Sequence, residues 1–148
     1  MPKPVIKITC PCCSGLLYQD CCEPYHLSLG APNAEKLMRS RYSAYVLGLE
    51  EYLLDTWHPN TRPKYLKLSN SPTQWLSLEV RSFEPNDDQA TVEFIAKYRD
   101  RGQAEKLHEI SQFRRIAGRW FYVDGIYPKW PLGKRLTQHT QKSTQHRD

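Results

Sequence analysis

The chain has 148 residues, of which 39% are hydrophobic, 25% charged and 11% aromatic, with a formal net charge of +5. That length builds one ordinary core with at most a small appendage, and so many aromatic side chains exclude a disordered chain, because they bury large areas. Lys134, Arg135, Lys142 and Arg147 against Asp148 put +3 of the charge into residues 134–148, leaving only +2 elsewhere, a weak footprint for a phosphate binder.

Residues 1–9 read as an extended lead. They lack the apolar stretch of a signal peptide, and no run of about 18 apolar residues occurs anywhere. The expectation is a cytoplasmic protein with no membrane contact. Thiols stay reduced there, which bears on the next segment. All five cysteines fall between residues 10 and 22, in the run CPCCSGLLYQDCC. Cys10 and Cys12 form one close pair, Cys21 and Cys22 another. Zinc takes four thiolates at about 2.3 Å, which sets the sulfurs about 3.7 Å apart. Neighbouring residues such as Cys21 and Cys22 reach one ion if the backbone turns, and Ser14–Gly15 suits the turn between the pairs. Thiolate capture would fold a segment too small to fold by apolar burial. The expected cofactor is Zn²⁺ on Cys10, Cys12, Cys21 and Cys22. A redox thiol pair, adventitious oxidation and a cysteine-rich run without a role are the alternatives. Disulfides here would close very small loops and leave one thiol over. Cys13 is expected to be a free, reactive thiol. His26 is a reserve ligand, more simply an exposed histidine without that role.

Residues 28–33 are turn chemistry, and Asn33 can cap a helix. From Ala34 to Leu47, Leu37, Met38, Tyr42, Tyr45 and Val46 form the stripe of an amphipathic helix, which Gly48 breaks. A second helix is expected from Leu49 to Trp57, ended by Pro59. Residues 59–74 hold three prolines and read as a long loop with at most one helical turn. The period then becomes two. Strands are expected at 75–83, 90–99, 105–116 and 120–125, with turns at 85–88, 100–102 and 117–118. Helices followed by an antiparallel meander make an α+β fold, with the helices on one face of the sheet. The tail after Pro131 is polar and aperiodic.

One carboxylate stands out. Strand alternation puts Glu109 on the same face as Leu107 and Phe113, where it needs a partner or a raised pKa. Arg39 or Arg41 is the expected partner, in a buried ion pair tying helix to sheet; a general base is the alternative. His58 is expected to cap the end of the second helix. His108 faces away from Glu109, and Asp124 belongs to a turn or strand end.

The run CPCCSGLLYQDCC resembles the SEC-C motif, the zinc-binding segment also found at the C-terminus of the SecA translocation ATPase, where the expected run is CPCGSGKKYKKCC or the same ending in Cys-His. The match covers both cysteine pairs, Pro11, Ser14, Gly15 and Tyr18; Cys13 stands where the motif has glycine. PYH at 24–26, LMRSRYSAYVLG at 37–48, DTWHP at 55–59, QWLSLEV at 74–80, SQFRRIAGRWFYVDG at 111–125 and YP at 127–128 are similar to the YchJ-like family of SEC-C proteins. The resemblance implies a zinc segment at 1–27 and a nuclear transport factor 2-like cone at 28–132, a curved antiparallel sheet wrapped on helices. A basic tail at 133–148, expected to be disordered, completes the division. Some family members carry a second SEC-C motif, but no cysteine here lies beyond Cys22.

Cones of this class enclose a pocket. The candidate lining residues are Trp57, His58, Trp75, Phe94, Tyr98, Glu109, Phe113, Trp120 and Tyr122. No defined activity comes with the resemblance. Because the SecA motif contacts a chaperone, it implies a protein partner for the zinc segment. The leading expectation is a zinc-binding interaction module whose cone holds a small ligand. The alternatives are an isomerase or dehydratase using the cone, and an RNA- or ribosome-associated factor using Lys64, Lys67, Arg114, Arg115, Arg119 and the tail. Oligomeric state is left open.

Overall fold

The computed structural model describes residues 8–27 and 30–128. The expected lead before residue 8, residues 28 and 29 of the turn, and the basic tail 133–148 lie outside these residues. Helix α1 spans Glu23–Leu27, α2 Ala34–Leu47 and α3 Glu50–Asp55. Strands β1 (Thr73–Asn86), β2 (Gln89–Asp100), β3 (Gln103–Ile116) and β4 (Arg119–Ile126) form one antiparallel meander in sequence order.

Local chemistry sets the helix ends. Asn33 Oδ1 accepts the Lys36 amide at 2.8 Å, the side-chain cap that begins α2, and Gly48 at φ 77° ends it in the left-handed conformation. The helix after it is shorter than the expected 49–57. It closes at Asp55, and Thr56 satisfies the last turn by hydrogen-bonding Tyr52 O. The chain then leaves the helix because Trp57 bridges in parallel to Tyr122 on β4. His58 N donates to Tyr122 O at 2.7 Å and Tyr122 N to Thr56 O at 2.8 Å. These two bonds fix Trp57 beside β4. The loop that follows contains one 3-10 turn, Leu68–Asn70.

The strands are longer than their apolar runs, since the hairpins extend pairing up to turns with Asp87, Arg101 and Ala117 at positive φ. Register shifts at Trp75/Ser77, Val80/Ser82 and Gln112/Phe113 each insert an extra residue and bend the sheet. The concave face is read directly from the cross-strand pairs Trp75–Tyr98, Ala96–Leu107, Phe94–Glu109 and Phe113–Tyr122.

Helix α2 lies against that face, but it is buried more widely than one stripe. Ser40, Arg41 and Ser43 are buried along with Leu37, Met38 and Tyr42, whereas Val46 of the expected stripe is 39% exposed. The reason is a second cover. Cys10, Cys12 and Cys22 belong to the same core cluster as Leu37, Met38, Tyr42, Val92 and Phe94. The cysteine segment and the cone thus share one core, with α2 between them.

Candidate functional site

A short antiparallel bridge from Thr9 to Leu17 and a 3-10 turn at Tyr18–Asp20 bring the two cysteine pairs together. The Sγ atoms of Cys10, Cys12, Cys21 and Cys22 all lie within 4.8 Å of one another. Cys12 to Cys21 is 3.6 Å and Cys21 to Cys22 is 3.9 Å, the edge lengths of a tetrahedral thiolate cage of about 3.7 Å. Polar groups surround the sulfurs: Ser14 Oγ lies 3.2 Å from Cys21 Sγ, Ser43 Oγ 3.4 Å from Cys22 Sγ, and Arg39 Nη1 donates to Cys12 O at 3.1 Å. Hydrogen bonds from Cys10 and then Cys22 hold the Cys12 thiol far below its ordinary range. Bonds with Cys10 and Cys12, then burial, push Cys22 far above. The donor set and its surroundings fit a metal ion.

Cys13 stays out of the cluster and is exposed. Its φ of 66° explains why the related motif has glycine here: a residue with a Cβ is strained in that region. His26 is neither exposed nor a reserve ligand. Its Nδ1 meets Tyr18 OH at 2.6 Å and its Nε2 lies 2.8 Å from Ser40 O, so one ring nitrogen ties α1 to the 3-10 turn and the other ties it to α2. Burial lowers its pKa.

On the other side of α2, the concave sheet, α2 and the loop before β1 enclose a cavity of about 810 Å³. Arg41, Trp57, Glu109 and Tyr122 form one end of its wall and Trp75, Phe94 and Tyr98 another part. The Trp75 ring lies tilted 5.3 Å from Tyr98 and meets Tyr42 edge-on at 5.8 Å. Arg41 is held hard: Nη1 donates to Leu53 O at 2.8 Å and Thr56 Oγ1 at 2.7 Å, and the guanidinium lies 4.9 Å from the Trp57 ring and 4.6 Å from the Tyr122 ring. Glu109 Oε2 accepts from Ser111 Oγ at 2.9 Å and Tyr122 OH at 2.8 Å. Burial raises its pKa, opposed by those two bonds, the charge of Arg41 and a bond from Tyr127. Gly125 makes room for it, since a Cβ there would fall 2.7 Å from Glu109 Cγ and nearer still to the carboxylate.

The profile of the YchJ middle NTF2-like domain matches residues 33–125. The chain belongs to the YchJ family. A UPF0225 protein of Bordetella parapertussis is 48% identical over 126 residues, 82% of this chain and 95% of that protein. A UPF0225 protein of Chromobacterium violaceum is 47% identical over 134 residues, covering 84% and 96% of the two chains. Among solved structures, a SEC-C motif containing protein from Rhodopseudomonas palustris is similar with a TM-score of 0.73 at 34% identity, over 82% of this chain and all (100%) of that one. A second, from Psychrobacter arcticus, has a TM-score of 0.65 at 31% identity, over 88% and 85%. The NTF2-like cone expected from the sequence is the family's fold, and the SEC-C cysteines precede it here as a cluster able to hold a metal.

Within this YchJ-family cone, the expected ion pair does not form. Arg39 instead pairs with Glu35 at 3.1 Å and reaches the cysteine segment. Arg41 points toward the cavity end, but the Tyr122 ring lies against it while the Tyr122 hydroxyl meets Glu109, so tyrosine separates the two charges. Strand alternation could place Glu109 on the inner face but could not foresee which ring would intervene. Trp57, Trp75, Phe94, Tyr98, Glu109, Phe113 and Tyr122 line the cavity; His58 and Trp120 do not. His58 Nδ1 accepts the Asn60 amide at 3.0 Å, which locks the turn after α3 instead of capping the helix. Trp120, two residues nearer the β3–β4 turn than Tyr122, is in the filled core with Arg115 5.1 Å above its ring. Sequence reasoning missed Tyr42, Tyr45 and Tyr127 as wall residues. Tyr42 and Tyr45 were legible as an i, i+3 pair on the helix stripe.

His108 faces away from Glu109, as alternation requires, and lies 2.7 Å from Glu93. The basic residues set out for RNA divide between the loop before β1 and the β3–β4 hairpin, and Arg115 is engaged by Asp88 at 2.9 Å. Among the described residues, no helix is long and apolar enough to cross a membrane.

Proposed function

We propose that this YchJ-family chain is a zinc-braced binding protein for a small organic molecule. The reading is carried by the cavity of about 810 Å³, within the usual range of small-molecule sites and rich in aromatic side chains with polar groups among them. Zinc is the metal that four thiolates at tetrahedral spacing suit best. Its part is structural: it holds the cysteine segment on α2, and α2 carries Arg41, Tyr42 and Tyr45 into the cavity wall. Indole N–H resonances give the test. Trp57 and Trp75 line the cavity and Trp120 does not. A set of aromatic fragments covering neutral, cationic and anionic members should contain binders that shift the first two and raise the melting temperature. If no fragment of any charge moves them, the cone is not a ligand site.

A protein partner at the zinc segment is the second reading. It is favoured by Ile8, Leu16 and Leu27, which are 59%, 49% and 73% exposed on that segment. Affinity capture with the intact chain and with a Leu16→Ser/Leu27→Ser variant that keeps its metal separates this from a purely structural role. Equal capture by both chains rejects it.

A further inference from the structure

Arg41 is the side chain on which the cavity's chemistry turns. It is only 5% exposed, yet it forms part of the cavity wall. Its Nη1 is spent on Leu53 O and Thr56 Oγ1, while Nε and Nη2 have no hydrogen-bond partner among the described residues. No carboxylate lies within ion-pair distance of it among those residues. A buried cation in that condition is costly, and guanidinium does not escape by losing its proton. The Trp57 and Tyr122 rings, 5.1 Å apart, lie 4.9 and 4.6 Å from its centre on one side and leave Nε and Nη2 without a hydrogen bond among the described residues. In the same wall, Trp57 Nε1 is a buried donor with no partner.

The acidic groups that line the cavity, Asp100, Glu109 and Asp124, form no ion pair with Arg41, and Glu109 acts on it only through space. Glu109 Oε2 is taken by Ser111 and Tyr122, and the Tyr122 ring stands between it and Arg41. Asp100 is engaged by Arg101 at 3.2 Å, and Asp124 is exposed. Burial also favours the protonated form of Glu109. The remaining wall carries the rings of Trp75, Tyr98, Phe94 and Phe113 with hydroxyl groups such as Thr61 and Ser111 between them. No lysine or second arginine lines it among the described residues, so a phosphate dianion would find a single cation.

We propose that the cavity takes a small aromatic carboxylate, its two oxygens on Nε and Nη2 of Arg41 and its flat body among the aromatic rings. This rests on the cone being a ligand site. A guanidinium fork matches a carboxylate with two parallel bonds, which a neutral amide of the same shape cannot reproduce.

The test uses the full metal-loaded chain, titrated calorimetrically with 2-naphthoate and with its neutral isostere 2-naphthamide, while indole resonances are followed. Naphthoate should bind at least about tenfold more tightly, the scale of a charge-assisted bond pair, and shift Trp57 and Trp75 but not Trp120. Arg41→Lys, which keeps the charge and loses the fork, should remove most of that preference. Should Arg41→Lys fail to fold, the comparison of the two probes on the unaltered chain still decides. Equal affinity for naphthoate and naphthamide overturns the carboxylate proposal and leaves the cavity a ligand site. Binding of neither probe, with other fragments bound, also overturns it. Only failure of every fragment takes the site itself away.

Discussion

Two buried polar clusters flank α2, and they are built in opposite ways. The thiol cluster gathers Cys10, Cys12, Cys21 and Cys22 from one short segment. The cavity cluster gathers Arg41 from a helix, Trp57 from the bend after another, and Glu109 and Tyr122 from neighbouring strands. The first is closed by local turns, the second only by the sheet register and the Trp57–Tyr122 bridge. They meet in one helix, since Arg39 and Ser43 address the cysteine segment while Arg41 and Tyr45 address the cavity. A site made locally can thus set the position of one made at long range.

The most severe way to break this comparison is to remove a buried ligand. Cys22→Ser should abolish stoichiometric metal and cost more than about 4 kcal/mol, lowering Tm by roughly 10 °C or more. The cavity indoles should shift with it. A cone that melts unchanged after metal loss would show that the two regions are independent.

The next effect sharpens the cavity side. Gly125→Ala pushes a methyl into the Glu109 carboxylate, which Ser111 and Tyr122 pin in place. The expected cost is about 1–3 kcal/mol by chemical denaturation. In a Glu109→Ala background most of that cost should vanish, because the two sites are in contact. Strict additivity would contradict the placement of the carboxylate.

A smaller effect is read against pH. Burial raises the Glu109 pKa, so above the ordinary glutamate value of about 4.3 the folded chain binds more protons than the unfolded one. Stability attributable to this group is full below that value and declines as pH rises toward the raised folded value. Glu109→Gln should flatten that decline in urea midpoints measured from acid to mildly alkaline solution. A variant that loses stability in parallel with the parent chain would place the carboxyl outside the low-dielectric site.

The smallest concerns Cys13. Replacing it with glycine relieves a positive φ but gives up its 3.4 Å contact with the Leu78 amide, so Cys13→Gly should stabilise by no more than about 1 kcal/mol. Metal content should not change, and one readily alkylated thiol should disappear. Loss of metal in this variant would bring Cys13 into the ligand set.

The same contrast explains what could be read from residues alone. The cap at Asn33, the stop at Gly48, the four strands and the cysteine set follow from neighbours a few positions apart, so spacing and period report them. Glu109 on the inner face follows from alternation. Its partner does not, because the Tyr122 ring reaches Arg41 only through a bulged pairing of β3 with β4 and a bridge from residue 57. His26 is the parallel case. Nothing local places its ring between Tyr18 and Ser40, a contact made when α1 packs on α2. The curvature that encloses the cavity comes from three register shifts, which an apolar pattern does not mark.

Sulfur K-edge and zinc K-edge absorption of freshly purified, reductant-protected protein, with metal counted per chain, tests the core of this account. It predicts one zinc per chain with four sulfur neighbours at about 2.3 Å and no nitrogen. A chain without stoichiometric metal, or a shell in which a histidine nitrogen replaces a sulfur, would contradict it.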